Sequence, residues 1–396
     1  MEADALSRGA ATQGPRSPAE APIPAAYAVV IHKGPTWSLS DIEPYCRMLS
    51  GRFEGEVWAF GSYDAEAVIG RMRLRVIAGH SGRTMANRLR FARHTLRWIE
   101  ALRRARPSNL VFITLDPLWS GVLGLYAAWR TGAPLICEIN GAYASPHNTA
   151  NSRSSIGRLL RIAMRRGVGR FVLRRTAGVR LLYPDQLRGF ARVPSSTVVR
   201  RFFETTRLDL FHPGPQEPLI LGVGFPFRVK GFDVLCRAFL EIADRHPRWK
   251  LVLIGYRAPE EVLEGGFAHP RIEAYPGVQQ TEVAEWMSRC AIFALPSRTE
   301  AMGRVLLEAG AAGTCRGAAR VDGIPTVVED GVDGLLVESQ NVEQLASVLE
   351  RAMEDEALRR RLGEAAMRRV EREFSAQAYL EHYGELVTAT LERSTA

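Results

Sequence analysis

The sequence has no apolar run long enough to cross a membrane. A transmembrane helix needs about eighteen or more consecutive apolar residues, and no segment approaches that length. Residues 1–26 are rich in Ala, Pro and Ser and lack a basic start followed by an apolar block. This composition predicts a disordered tail rather than a signal peptide. We therefore expect a cytoplasmic protein that at most lies peripherally on the inner face of the membrane.

Cysteine is scarce as well. The five cysteines are scattered along the chain, and no two have the spacing of metal ligands. An odd number of isolated cysteines predicts reduced thiols, with neither a disulfide framework nor a zinc site. The sequence also lacks an Asp-x-Asp pattern that would suggest a metal-bound substrate. We therefore expect neither a metal nor a cofactor.

Lysine is rare, because only Lys33, Lys230 and Lys250 contribute to the 52 basic residues. Part of the arginine content therefore reflects a general preference of this chain for arginine. Even so, the charge is unevenly distributed. Residues 1–210 carry 31 basic and 15 acidic residues, whereas the remainder carries 21 and 28. The basic half is the one that we expect to meet an anionic partner.

Two arginine-dense blocks, residues 71–106 and 153–180, also contain apolar side chains at helical spacing. A helix with one apolar and one arginine-rich face can lie on an anionic membrane surface. It can equally pack its apolar face inward and leave its arginines in water, and the sequence leaves both readings open. No nucleic-acid recognition motif is present, so we do not expect nucleic-acid binding.

Short apolar runs alternate with a helical pattern along the first half of the chain. We predict strands at Tyr27–Ile31, Glu56–Phe60, Leu110–Leu115 and Pro134–Ile139, with a helix at Leu118–Arg130. This alternation is typical of a parallel α/β sheet. Because 396 residues exceed the length that one core serves, we predict two domains joined by the linker Pro213–Pro218.

The segment Pro296–Gly310 follows an apolar strand and opens a helix. Ligands of α/β proteins bind at such connections, beyond the carboxyl ends of parallel strands. The first N–H groups of the helix lack internal partners and suit a phosphate. Glu300 in the connection and Glu308 in the helix suit sugar hydroxyls. The alternative is a surface helix with two solvated glutamates.

A second candidate anion site lies between Gly222 and Gly231. It begins Gly222-Val-Gly224 but fails the dinucleotide pattern Gly-x-Gly-x-x-Gly and contains no P-loop. What remains is a glycine turn that carries Arg228 and Lys230 just before a helix, an arrangement that suits a diphosphate. These residues could instead be solvated loop cations.

The ordered series of these motifs resembles family 4 glycosyltransferases, which are retaining enzymes of the two-domain GT-B architecture. The similarity runs from about Leu219 to about Phe374, and its N-terminal counterpart is much fainter. Its members are Val229–Leu235, Ala294–Ser297, Glu300 and Glu308 with Gly303 between them, Gly323-Ile-Pro325, and Glu329-Asp-Gly331.

The resemblance implies an α/β fold of two Rossmann-like domains that face each other across a cleft. The acceptor-side domain would span residues 27–212, and the nucleotide-sugar-binding domain residues 213–375. A C-terminal helix, residues 376–396, would cross back to the first domain.

The implied reaction is the retaining transfer of a hexosyl group from a nucleotide diphosphate sugar to an acceptor hydroxyl. The acceptor would be lipid-linked or a saccharide, in polysaccharide or glycolipid biosynthesis. Glu300 would hold the donor sugar, and Glu308 would accept from the ribose. The diphosphate would meet the following residues: Gly224, Arg228, Lys230, Gly303, Arg304 and Val305.

Three positions depart from the family pattern. Asn140 stands where many members have a histidine at the reaction centre, so its task there would be positioning; it could also simply form a turn before Gly141. Phe225 replaces an arginine of the diphosphate loop. The family has an apolar strand at Cys315–Ala319, where this chain has Gly and Arg. We therefore expect either a weak strand or an edge strand from which Arg316 points outward.

Three other functions remain open on the sequence alone. A nucleotide-sugar epimerase or hydrolase could use the same architecture. Because of the three departures, a non-catalytic partner protein with a degraded site is the second. The third is a nucleic-acid binder, which would bind DNA or RNA with a steep dependence on salt.

Overall fold

The computed structural model describes residues 26–31, 39–61, 63–79, 84–143, 145, 155–188, 190–204 and 206–395. The predicted tail, residues 1–26, lies outside the described residues except for Ala26, which is buried where the first strand begins. None of the helices in the described ranges is both long and apolar enough to span a membrane.

The first domain is an eight-stranded sheet in the order β3-β4-β2-β1-β5-β6-β7-β8, parallel except for β3. Its elements are β1 (Tyr27–Ile31), α1 (Leu39–Leu49), β2 (Glu54–Gly61), β3 (Ala65–Ile69), β4 (Met72–Ala78), α2 (Thr84–Ala105), β5 (Leu110–Thr114), α3 (Trp119–Thr131), β6 (Leu135–Glu138), α4 (Ser155–Leu173), β7 (Gly178–Leu181) and β8 (Val198–Arg201).

Helices cover both faces of this sheet. Successive side chains of a strand point to opposite faces, and here the apolar side chains on each face pack against helices. On one face Trp58 and Phe112 pack with residues of α2, α3 and α4. On the other face Val57 and Ile113 pack with α1 and with the last helix of the chain, α12 (Ala376–Thr395). The strands are buried on both sides, which explains their nearly continuous apolar sequences.

The second domain is a six-stranded parallel sheet in the order β11-β10-β9-β12-β13-β14. Its elements are β9 (Glu217–Val223), α5 (Phe232–Ile242), β10 (Lys250–Ile254), α6 (Ala258–Glu264), β11 (Ile272–Tyr275), α7 (Gln280–Arg289), β12 (Cys290–Leu295), α8 (Arg304–Ala311), β13 (Cys315–Ala319), α9 (Ile324–Val327), β14 (Leu335–Val337), α10 (Val342–Glu354) and α11 (Glu356–Glu373). Two Rossmann-like sheets confirm the predicted fold class.

The expectation for Cys315–Ala319 was wrong. These residues form β13, an interior strand between β12 and β14, and Arg316 is fully buried. Its guanidinium pairs with Asp333 at 2.7 Å and donates to the Leu306 carbonyl of α8 at 3.0 Å. Burial lowers the pKa of Arg316 to about 10, which leaves it charged near neutrality. A buried cation is tolerated here because a carboxylate and several carbonyls surround it.

Arg180, the last residue of the second arginine block, is also not a surface cation. It is buried on β7 and pairs with Glu138 of β6 at 2.6 Å. The hydroxyl of Tyr383 on α12 donates to the other oxygen of Glu138. Helix α12 thus returns from the second domain and is held to the first by a buried acid.

Candidate functional site

The strand order of the second domain places a crevice between β9 and β12. The chain leaves β9 toward β10 on one side and leaves β12 toward β13 on the other, so the two following loops diverge there. Ligands of open α/β sheets bind at such a switch point. The two candidate segments of the sequence, Gly224–Gly231 and Pro296–Gly303, are the loops that follow these two strands.

The two loops touch at Gly231. This residue has φ +72°, and a Cβ placed on it would lie 1.9 Å from the carbonyl oxygen of Pro296. Only glycine allows both the backbone conformation and the close approach. The contact brings the end of the β9 loop directly against the start of the β12 loop.

Lys230 and Glu300 form an ion pair across this contact. The ammonium group donates to the Glu300 carboxylate, and the two side chains are only 18% and 14% exposed. The stem of Lys230 lies along Gly224, where an added Cβ would come within 3.0 Å of its Cε. The structure therefore brings together a cation and an acid that the sequence places 70 positions apart.

Asp322, which sequence analysis missed, holds the backbone of Glu300. Its carboxylate accepts from the Glu300 N–H at 3.1 Å and from the Thr299 hydroxyl at 2.5 Å. The N–H of Gly323 donates to the Glu300 carbonyl at 3.1 Å. The only sequence signal for this role was the position of Asp322 just before Gly323-Ile-Pro325.

Helix α8 begins at the crevice. Gly303 (φ +79°) precedes it, and the N–H of Leu306 already donates to the Gly303 carbonyl at 2.8 Å. Helix geometry leaves the N–H groups of Arg304 and Val305 without intrahelical acceptors. The side chain of Arg304 is exposed. These amides and the dipole of the helix favour an anion at this end.

Glu308 is buried on α8, one turn from the crevice end. Thr206 donates to its Oε1 at 2.9 Å, and Gln280 donates to the same oxygen at 3.2 Å. Burial raises the pKa of the Glu308 carboxyl, against the opposing effects of Thr206, Arg304 and Gln280. Since both hydrogen bonds go to Oε1, Oε2 has no protein donor within the part of the chain that the structure describes. It can accept from a ligand.

Arg228 is exposed on the loop that follows β9. Arg298 stabilises that loop through hydrogen bonds. The guanidinium of Arg298 donates to both oxygens of Asp233, at 2.7 and 2.8 Å, and to the Arg228 carbonyl at 2.5 Å. Phe225, also on this loop, is 49% exposed and meets the ring of Tyr256 edge to face. Neither Arg298 nor Tyr256 was singled out from the sequence.

Asn140 lies beyond the carboxyl end of β6 in the first domain, and its amide is already engaged. Its Nδ2 donates to the Leu115 carbonyl at 3.2 Å and to Glu138 at 3.1 Å, while its Oδ1 accepts from Arg180. A ligand that used this amide would have to replace one of these bonds. The arrangement favours a role in positioning the neighbouring backbone.

The first domain reaches the site through Tyr183. Its ring packs against Gly323, where an added Cβ would lie 3.0 Å from the ring. Leu182 and Tyr183 belong to the same apolar cluster as Leu295 and Met302 of the second domain. The loops around Glu300 are therefore in contact with both domains.

Known proteins match less than half of this chain in sequence. Residues 211–369 match the family described as glycosyl transferases group 1. D-inositol 3-phosphate glycosyltransferases are among the relatives. The protein from Nocardioides sp. is 31% identical over 204 residues, covering 41% of this chain and 44% of the relative. That from Xylanimonas cellulosilytica is 35% identical over 181 residues, covering 43% of each. The matches thus span less than half the length of these relatives.

Solved structures match almost the whole chain. Sucrose-phosphate synthase from Thermosynechococcus elongatus superposes with a TM-score of 0.72 at 20% identity, covering 92% of this chain and 98% of its own. The chain has the GT-B fold. Anabaena HepE in complex with UDP and glucose, another GT-B protein, gives a TM-score of 0.66 at 15% identity, covering 92% of this chain and 100% of its own. The crevice described above is thus part of a GT-B protein.

Proposed function

We propose that this protein is a retaining glycosyltransferase of the hexosyltransferase type. It would move a sugar from a nucleotide diphosphate sugar to an acceptor hydroxyl, in polysaccharide or glycolipid biosynthesis. The group 1 family match over residues 211–369 and the GT-B fold support a glycosyltransferase. A structural neighbour in complex with UDP-glucose supports a nucleotide sugar as the donor.

One observation carries the proposal: Lys230 and Glu300 meet beside the first turn of α8. The diphosphate of the donor would bind the ammonium group of Lys230 and the amides of Arg304 and Val305, with Arg228 reaching in from the loop. Glu308 would accept from the ribose through its free oxygen. A diphosphate that binds Lys230 also releases the Glu300 carboxylate, which can then act on the sugar.

In the reaction the bond between the anomeric carbon and the diphosphate oxygen breaks, and a bond to the acceptor oxygen forms on the same face. The proton of the acceptor hydroxyl leaves with the diphosphate. The sugar gains positive charge, which the Glu300 carboxylate stabilises. The leaving group gains negative charge, which the cations and amides stabilise, and one such donor is worth about 10²–10³ in rate.

The experiment is a thermal-shift screen of the purified protein against UDP, GDP and their sugars, followed by a transfer assay with the sugar that stabilises it. Saturable stabilisation by one nucleotide sugar and transfer to an added acceptor are expected. Release of free sugar at the same rate with and without acceptor would show a hydrolase or epimerase instead. Absence of any nucleotide effect would indicate a non-catalytic protein.

A further inference from the structure

The outer surface of the helices α2, α3 and α4 is unusually apolar for a solvent-exposed layer. Sixteen large apolar side chains are more than about a third exposed among the described residues, and nine of them lie on these three helices. They include Trp129 at 74%, Ile156 at 79% and Leu159 at 65% exposure. Scattered exposed apolar residues are ordinary, but a concentration on one face marks an interaction surface. We call this face the helical layer.

Each helix of the helical layer shows a stripe rather than isolated positions. On α3, Val122, Tyr126 and Trp129 follow the spacing i, i+4, i+7 and all are exposed. This is the spacing of one helix face. Because α3 also buries Leu123 and Ala127 against the sheet, it is apolar on both sides. Core packing therefore accounts for only one of its two apolar faces.

The charged residues of the helical layer are almost all basic. Helices α2, α3 and α4 contain six, one and five arginines, against one acidic residue, Glu100. Arg93, Arg97 and Arg166 are exposed, and none has an acidic partner within 4.0 Å in the described part of the chain. On α2 the exposed arginines alternate with the exposed Leu89 and Leu96.

The helical layer also has a defined relation to the cleft. In a parallel α/β sheet each helix starts at the carboxyl edge of the strand before it. The first turns of α2, α3 and α4 therefore lie along the edge of the first sheet that faces the second domain. Ile156 and Leu159, in the first turns of α4, are exposed at this end.

We propose that the helical layer docks onto the surface of an anionic lipid bilayer. Apolar side chains would enter the boundary between headgroups and acyl chains, and the arginines would bind lipid phosphates. Aromatic residues such as Trp129 and Tyr126 are suited to that boundary. A protein partner would need an acidic surface that also fits apolar stripes on three separate helices, whereas a bilayer supplies both properties everywhere.

Docking does not depend on the nucleotide site. If the proposed function holds, docking places the edge of the cleft at the membrane, and the acceptor is then a lipid-linked hydroxyl rather than a soluble saccharide. The membrane-docking proposal and the proposed function can be tested independently. Vesicle binding is measured without nucleotide and should persist in the Glu300→Gln variant.

The test is co-sedimentation of the full chain with vesicles of phosphatidylcholine, with and without phosphatidylglycerol. We expect binding only to the anionic vesicles, and weaker binding as salt is raised. Replacing Arg93 and Arg97 together by Glu should reduce binding more than about tenfold, since each arginine near an anionic surface contributes about fivefold. Leu159→Glu should also reduce binding.

Matched controls lie on the second domain. Leu263 on α6 is 69% exposed, close to Leu159 at 65%, so Leu263→Glu should leave vesicle binding unchanged. Arg351→Glu with Arg360→Glu, at exposed positions of α10 and α11, should reduce it far less than the pair on α2. Circular dichroism and thermal unfolding without nucleotide check that every variant is folded.

Three results would overturn the proposal. One is equal binding to neutral and anionic vesicles, and another is an equal loss in the control variants. The third is a concentration-dependent dimer, seen by sedimentation velocity, that Leu159→Glu abolishes while vesicle binding is unaffected. That outcome would make the helical layer a contact between two copies of the chain.

Discussion

Lys230 donates to Glu300 from the opposite wall of the crevice, and the two residues close the narrow space between the loops that follow β9 and β12. Each neutralises the other while no ligand is bound. A diphosphate would replace the carboxylate as the partner of Lys230. The ion pair therefore holds the ammonium group and the carboxylate in place until the donor binds and separates them for the proposed reaction.

Replacing Lys230 should mainly affect UDP binding, whereas replacing Glu300 should mainly affect the rate of transfer. Lys230→Ala should weaken UDP binding by about tenfold or more, since a partly buried, charge-assisted contact is lost. Glu300→Gln should leave UDP binding nearly unchanged and lower the rate of transfer by about 10² or more. Calorimetry with UDP and single-turnover transfer separate the two effects. Equal changes in both quantities for both variants would contradict the assigned roles.

Replacing Glu308 by Gln should make the protein more stable but should weaken its binding of UDP. Its folded-state pKa is raised mainly by burial, so the charged carboxylate destabilises the fold as pH rises through that pKa. Glu308→Gln removes the buried charge and should raise the free energy of unfolding at neutral pH by about 0.5–2 kcal/mol. The gain should shrink as pH falls toward the ordinary glutamate pKa of about 4.3.

The same variant should bind UDP more weakly, because an amide oxygen is a poorer acceptor for ribose hydroxyls than a carboxylate. Thermal unfolding across this pH range and calorimetry with UDP provide the two measurements. A variant that is less stable at neutral pH, or that binds UDP as tightly as the wild type, would contradict this account of Glu308.

Arg316 should be essential for stability. Arg316→Met leaves the buried Asp333 with Arg369 as its remaining cation, at 2.8 Å, and removes the donor to the α8 backbone. We expect a loss of about 3–5 kcal/mol, measured by urea unfolding. Arg320→Met is the matched control, because Arg320 pairs with Asp330 while both are more than 40% exposed. Its cost should stay below about 1 kcal/mol.

Gly231 should tolerate no side chain. Gly231→Ala adds a Cβ that collides with the Pro296 carbonyl, so the two loops must separate and Lys230 must move away from Glu300. Gly266 is the control, since its φ of +70° is nearly the same and no atom lies within 4 Å of an added Cβ. Gly266→Ala should cost only the backbone strain of about 1–2 kcal/mol. Only Gly231→Ala should also weaken UDP binding.

Local patterns in the sequence predicted the elements of the fold well. Strand Tyr27–Ile31 has the predicted bounds, and β5 ends at Thr114, one residue before the end of the predicted strand Leu110–Leu115. Such strands can be found because buried parallel strands are short apolar runs. The hairpin of β3 and β4 was missed, since its arginines alternate with apolar residues inside a block dominated by helical spacing. Arg73 and Arg75 pair there with acids of neighbouring strands.

Lys230 and Glu300 could be selected from the sequence because each stands in a short loop with a recognisable motif, and their roles at the site stay predictions. Contacts with a partner distant in sequence could not be predicted. Asp322 holds Glu300 from 22 positions away, and Arg298 meets Asp233 from 65 positions away. Arg316 looked unsuited to a strand because its counterion, Asp333, is brought beside it only by the fold.

The contact between Tyr383 and the first domain has a consequence for folding during protein synthesis. Its hydroxyl donates to Glu138, which is synthesised 245 positions earlier. The face of the first sheet that α1 and α12 share is therefore fully covered only after the end of the chain has been synthesised. We expect released chains that end at residue 375 to have a protease-sensitive first domain beside a resistant second one, against the usual order in which amino-terminal domains mature first. Pulse proteolysis of these truncated chains would show the reverse order if α12 were dispensable.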